Sequence, residues 1–212
     1  MESSISGIFQ RSAKRLVLGG VVGALLAIGL SFISPVQYRA DAQLYIISKS
    51  RYGVDPYTVA KSAERIGENL AQVIKTSDFY DKVMTNETFS LDRSYFQNVS
   101  EREIRKRWEK TVDGSVKFGT SVLNISAYHK NPDQAVTYAK AVMETLVTKG
   151  AEYVGDDVSM KVVNQPVVSS LPVRPNFLMN AVVGFAVGVC VMAFMVLRRT
   201  AKLRRRMEQR VG

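Results

Sequence analysis

The chain has 212 residues, 46% of them hydrophobic, one cysteine, and a formal net charge of +10. That charge is carried by the ends: residues 1–15 carry net +2, residues 198–212 net +6, and the 141 residues from 36 to 176 only +2. A nearly neutral middle excludes a nucleic-acid-binding face, which needs basic residues on a folded domain. A lone Cys190 excludes a small disulfide-stapled module.

Taken in chain order, a short tail (1–15) with Arg11, Lys14 and Arg15 precedes 18 uncharged residues, Leu16 to Ile33. As a helix these are roughly 27 Å long, near the lower limit for crossing a bilayer. The first span is placed at 16–35. A cleaved signal peptide is the alternative, with Ala40-Asp41-Ala42 as the small-x-small site, but the apolar run is longer than usual for one.

The segment from Ala42 to Ser48 is rich in strand formers. Asp55 and Pro56 then open a helix whose apolar positions Val59, Ala63, Ile66, Leu70 and Val73 share a face. The helix continues, or restarts at Ser77, as far as Met84. Residues 85–99 are expected to form a polar loop. Ser100 and Glu103 have the spacing of a capping box. They begin a highly charged helix with Ile104 and Trp108 on one face. Its Arg102, Arg105, Lys106 and Arg107 read first as a solvated face. Arg105, Arg107 and Trp108 are also kept as a candidate contact to a glycan or a neighbouring protomer.

A hairpin turning at Gly119-Thr120 follows, and then a helix opened by Asn131 and Pro132. Ala135, Tyr138, Val142, Thr145 and Leu146 line its inner side, and it is expected to run to about Val154. Residues 158–168 read as the last strand. The order strand, helical region, strand, strand, helix, strand is that of an α+β ferredoxin-like domain, occupying 36–176. In that arrangement the first and last strands lie side by side and antiparallel.

The stretch SSLPVRPNFLMN (169–180) follows. Pro166, Pro172 and Pro175 predict a semi-rigid extended strut over 166–176, since proline fixes φ and restricts the residue before it. Arg174 is expected at lipid headgroup level, and Pro175 or Asn176 at the start of the second span. That span, Phe177 to Leu197, has 21 residues without a charge, roughly 31 Å as a helix. Gly19, Gly23, Ala27 and Ser31 recur every four residues, and Gly184 and Gly188 form a second such pair. Small residues on one stripe let membrane helices approach closely, so the partner is the other span or another protomer. A basic tail (198–212) ends the chain. The positive-inside rule puts both tails in the cytoplasm and the middle domain outside it.

No phosphate-binding loop, metal-ligating cluster or nucleophile motif occurs, and the one histidine, His129, reads as a surface residue at a turn. The expectation is a non-enzyme with no catalytic, cofactor-binding or metal-binding residues.

Three stretches in order, SPVQYRADAQLYI after the first span, SVLNISAYHKNPDQAVTYAKAVMETL, and PVVSSLPVRPN before the second, carry a family resemblance. The chain resembles the Wzz-type polysaccharide co-polymerases, or chain-length determinants, over nearly its whole length. Its short outer domain is most similar to the small capsule or exopolysaccharide adaptors. The resemblance implies a two-pass protein of the bacterial inner membrane, acting as a homo-oligomer. Its partners would be the polysaccharide polymerase or export machinery, membrane lipid, and in some members a separate tyrosine kinase. The function implied is control of the chain length or export of a capsule, exopolysaccharide or O-antigen. The alternative is a two-span sensor or adaptor that binds an outer ligand and modulates a cytoplasmic kinase.

Overall fold

The computed structural model describes residues 5–48 and 55–211, with side chains described over 13–48 and 55–199. The chain divides into two units: residues 1–35 with 174–212, and residues 36–173.

The first unit is a pair of long helices, α1 (Ile5–Ser31) and α7 (Phe177–Val211). Both outrun their uncharged segments: α1 begins before residue 16, and α7 continues past Leu197. Ala13–Ser31 and Phe177–Arg199 are long and apolar enough to cross a membrane. Their leucines and valines face outward, with Leu25, Leu30, Leu178 and Val187 all more than half exposed. Such surfaces suit hydrocarbon and not water.

The second unit is α+β. Its elements are β1 (Tyr38–Ser48), α2 (Pro56–Val73), α3 (Ser77–Met84), a short 3-10 turn (Ser94–Phe96), α4 (Glu101–Thr111), β2 (Val112–Val116), β3 (Val122–His129), α5 (Pro132–Lys149), α6 (Ala151–Val154) and β4 (Val158–Val168). The four strands form one antiparallel sheet in the order β2-β3-β1-β4. Strand alternation gives the sheet a buried side and an open side. Ala40, Ala42, Leu44 and Ile46 of β1, with Leu123, Ile125 and Ala127 of β3, are buried. Helices α2 and α5 pack against the sheet. The Ala40-Asp41-Ala42 run lies inside β1, with both alanines buried, which does not suit a cleavage site.

Local signals explain most boundaries. Asp55 caps α2 by accepting from the Thr58 N–H, and Asn131 caps α5 through the Asp133 N–H, each with proline in the first turn. Thr76 caps α3 through the Phe79 N–H, so the helix restarts at Ser77 instead of continuing. Gly119, at φ +72°, sits in the β2–β3 turn, a conformation glycine adopts without steric cost. Three details differ from expectation. The Ser100–Glu103 capping box is not closed: Ser100 makes no side-chain cap bond, and Glu103 pairs with Arg107 instead. Helix α5 stops at Lys149, and α6 restarts at Ala151. On α2 the buried set shifts to Ala63, Glu64, Gly67, Leu70 and Ala71. A Cβ at Gly67 would come within 3 Å of Val116 and Ile46, so this glycine allows α2 to lie close on the sheet.

Candidate functional site

Four groups of residues were singled out by sequence. The small-residue stripes fall together. A Cβ on Gly23 would run into the Gly184 carbonyl oxygen and lie 2.9 Å from the Gly188 Cα. A Cβ on Gly188 would meet the Gly19 carbonyl, and one on Gly184 the Ala27 Cβ. Of the two partners the sequence left open, the stripe therefore takes the other helix. As the numbers rise along α1 they fall along α7, so the pair is antiparallel. At one end Asn180 Nδ2–H donates to Ser31 Oγ (2.7 Å), whose hydroxyl donates to the Ala27 carbonyl (2.8 Å). Phe32 and Phe177 rings meet beside it at 5.3 Å. In hydrocarbon this pairing satisfies polar groups that would otherwise go without partners. An apolar groove of about 750 Å³ runs along the same helix pair, lined by Leu18, Val22, Leu26, Val183 and Val187 among others.

The proline segment straddles the two units. Pro166, read both as part of the last strand and as the start of the strut, lies within β4. The pairing there shifts register between Asp41 and Gln43, so one extra residue is accommodated opposite β1. β4 is an edge strand, and proline is tolerated at a bulge there because no ladder N–H is lost. Beyond β4 the chain stays tied to the start of β1. Ser169 N–H donates to the Arg39 carbonyl (2.8 Å) and Val173 N–H to the Gln37 carbonyl (2.8 Å). A bend at Ser170–Leu171 precedes Pro172, so the strut is not straight throughout. Asn176 starts the second long helix: its Oδ1 accepts from the Met179 N–H at 3.1 Å.

Trp108 requires a correction. It is fully buried, and its Nε1–H donates to the Ile74 carbonyl at 2.7 Å. Tyr80, Phe96 and Tyr138 rings surround it at 5.2, 6.2 and 6.5 Å. It is a core residue, and its ring reaches neither a glycan nor a protomer. Arg107 is engaged within the unit as well, donating to the Tyr95 carbonyl (2.6 Å) and pairing with Glu103 (3.3 Å). Arg105 pairs with Glu109 at 3.5 Å and is 62% exposed, which fits the solvated face. Of the three, only Arg105 is presented freely to solvent.

His129 is likewise more enclosed than a turn residue. Its side chain is 14% exposed, Nδ1 accepts from the Asn131 N–H (3.0 Å), and Nε2 lies 3.4 Å from Asp92. Tyr138 Oη–H donates to the Asp92 carbonyl (2.6 Å), and burial holds the Tyr138 phenol well above its ordinary range. This cluster staples residues 90–92 to the start of α5. Among the described residues no His, Cys, Asp and Glu group is placed to hold a metal ion.

The sequence reading missed the open side of the sheet. Asn164 Nδ2–H donates to Gln43 Oε1 (2.6 Å), and Gln43 Nε2–H donates to Asn124 Oδ1 (2.7 Å), forming an amide ladder across β4, β1 and β3. Beside it Ser126 Oγ–H and Arg39 Nε–H both donate to Asp41, at 2.6 and 2.8 Å. Tyr45, 44% exposed, lies two residues along from Gln43 on the same side. The signal was present: Arg39, Asp41 and Gln43 alternate with Ala40, Ala42 and Leu44. The result is a hydrogen-bonding face on which Arg39 and Asp41 pair with each other and the exposed Lys161 lies opposite Tyr45.

Compared with known proteins, the chain matches no protein-family model and no curated protein.

Proposed function

We propose that the protein is a membrane-anchored, oligomeric co-polymerase of the Wzz type. It would regulate the chain length or export of a surface polysaccharide without catalysing a reaction itself. The observation that carries this is the pairing of α1 with α7 through complementary small-residue stripes, in a chain whose intervening unit begins and ends on adjacent strands. The order β2-β3-β1-β4, antiparallel throughout, supports reading that unit as ferredoxin-like. Because β1 and β4 are neighbours, residues 37 and 173 meet at one end of the sheet, as a domain strung between two spans requires. Positive charge at both chain ends supports a two-pass topology, with the tails in the cytoplasm of a bacterial inner membrane and residues 36–173 outside. The amide-lined open face of the sheet offers partners for sugar hydroxyls or for the polymerase.

The test is the size distribution of surface polysaccharide with and without the gene. A narrow distribution that broadens on deletion, or loss of long polymer, supports the proposal. An unchanged profile refutes it, and the sensor or adaptor reading then becomes the better account.

A further inference from the structure

The antiparallel helix pair gathers charge at one end. Gly19 lies against Met192, so the Lys14–Arg15 turn of α1 falls at the same end of the pair as Arg198 and Arg199 of α7. Counting the described flanks of both helices, residues 5–15 and 198–211, that end receives ten Lys and Arg residues and one Glu. Orientation in a membrane needs far fewer than this. Helix α7 does not stop where its apolar segment does. It is uncharged to Leu197 and continues as helix to Val211. Lys202, Arg204, Arg205, Arg206 and Arg210 therefore follow on a continuous helix, which cannot lie flat without a break. The Arg198 guanidinium sits 5.0 Å from the Phe194 ring centroid, against the last turn of the apolar segment.

We propose that this basic end holds anionic phospholipid headgroups, with Arg198, Arg199 and Lys202 carrying most of the attraction. The inference rests on reading α1 and α7 as membrane spans, but not on any role in polysaccharide assembly. The charge of an anionic leaflet attracts juxtamembrane Lys and Arg, and the pull decays over a Debye length of about 8 Å at physiological salt. With a rise of about 1.5 Å per residue, Lys202 stands roughly 4.5 Å beyond Arg199, Arg206 roughly 10 Å and Arg210 roughly 16 Å. The attraction then falls to about a half, a quarter and an eighth of its surface value. A charge at the surface contributes roughly fivefold in affinity. The binding is therefore graded along the helix.

An acidic protein segment docked along the helix would give a different profile. It would read charges by the face they occupy and not by their distance from Arg199.

The experiment reconstitutes the full chain into nanodiscs of phosphatidylcholine containing a minority of phosphatidylglycerol. The ratio of the two lipids retained on the released protein is then measured by native mass spectrometry. Arg198→Gln, Arg199→Gln, Lys202→Gln and Arg210→Gln are compared, glutamine being a good helix former. The expected result is preferential retention of phosphatidylglycerol, lost at about 1 M salt, where the Debye length is about 3 Å. Arg198→Gln and Arg199→Gln should each lower the ratio about fivefold, Lys202→Gln about two- to threefold, and Arg210→Gln less than about 1.5-fold. Equal retention of both lipids overturns the proposal. So does a flat profile in which Arg210→Gln costs as much as Arg199→Gln. No polysaccharide enters the assay, so its failure leaves the co-polymerase proposal standing. An unchanged polymer length in cells, conversely, would leave this one standing.

Discussion

Replacing Trp108 separates a core role from a contact role. The indole is fully buried, and its Nε1–H satisfies the Ile74 carbonyl at 2.7 Å. Trp108→Ala removes a large ring among Tyr80, Phe96 and Tyr138 and should destabilise the 36–173 unit by about 3–5 kcal/mol. Trp108→Phe keeps part of the volume but leaves the carbonyl without its donor, at a cost of about 1–3 kcal/mol. With a urea dependence near 2 kcal/mol per M, the alanine variant should lower the unfolding midpoint by roughly 2 M. The assay is urea unfolding of the detergent-solubilised full chain, followed by circular dichroism. Because the chain has a single tryptophan, fluorescence adds an independent reading: native emission should be blue-shifted and shielded from acrylamide. A Trp108→Ala shift below about 0.5 kcal/mol, the usual cost of a surface change, would refute the burial and return Trp108 to the list of contact residues.

The helix pair predicts a contrast among glycines. Gly23→Leu and Gly188→Leu collide with the opposing backbone, whereas a Cβ at Gly29 meets nothing within 4 Å. In an SDS titration the first two should unpair the helices at lower SDS than the native chain, and Gly29→Leu should not. Pro172→Ala should change the stability of the 36–173 unit by less than about 1 kcal/mol. If the strut transmits register to the second long helix, the same variant, and Pro175→Ala, should still broaden polymer length. A fourth prediction concerns acid. Tyr153 Oη–H and Lys82 hold the Asp78 carboxyl below its ordinary value of 3.8, with Lys82 at 3.2 Å. A depressed carboxyl stabilises the fold fully above its unfolded value, and this contribution is lost as pH falls through the lower folded one. Unfolding followed from about pH 5 down to pH 2 should therefore show an acid-side loss that is smaller in Asp78→Asn. Equal pH dependence of the two proteins would remove Asp78 from this role.

The elements were legible where local chemistry decides them. The Asp55-Pro56 and Asn131-Pro132 pairs announced two helix starts, and Gly119-Thr120 a turn, because caps and turns are satisfied within a few residues. The period-two alternation of β1 was equally available, yet only its apolar half was used, and the amide ladder on the other half was missed. Which strand neighbours which is less local. Asn164 reaches Gln43 only because β4 pairs with β1 across more than a hundred residues of chain. The Trp108 error has a similar cause. On a helix as charged as α4, composition argues for the surface. Burial there is imposed by Ile74, Tyr80, Phe96 and Tyr138, none of them near Trp108 in sequence. Pro166 read as belonging to the strut as well as to the last strand, because a bulge on an edge strand cannot be seen before the edge is known.

The fate of the glycine stripes constrains how copies of this chain would assemble. Between membrane helices there is no hydrophobic drive, and close packing at small residues supplies much of the attraction. Here α1 and α7 use that surface on each other, so it is not free for a second copy. Sheet extension between copies is hindered as well. The β4 edge carries Pro166, two register shifts and the exposed Lys161, the features that natural sheets use to block strand addition. β2, the other edge, is only five residues long. Within residues 36–173 the surface left uncovered is the open face of the sheet, where the Asn124–Gln43–Asn164 ladder and the Arg39–Asp41–Ser126 cluster already make their hydrogen bonds. A face of that kind costs little to leave in water and offers partly used amides to whatever meets it. In the proposed oligomer, contacts between copies made by residues 36–173 would therefore be polar and centred on this face.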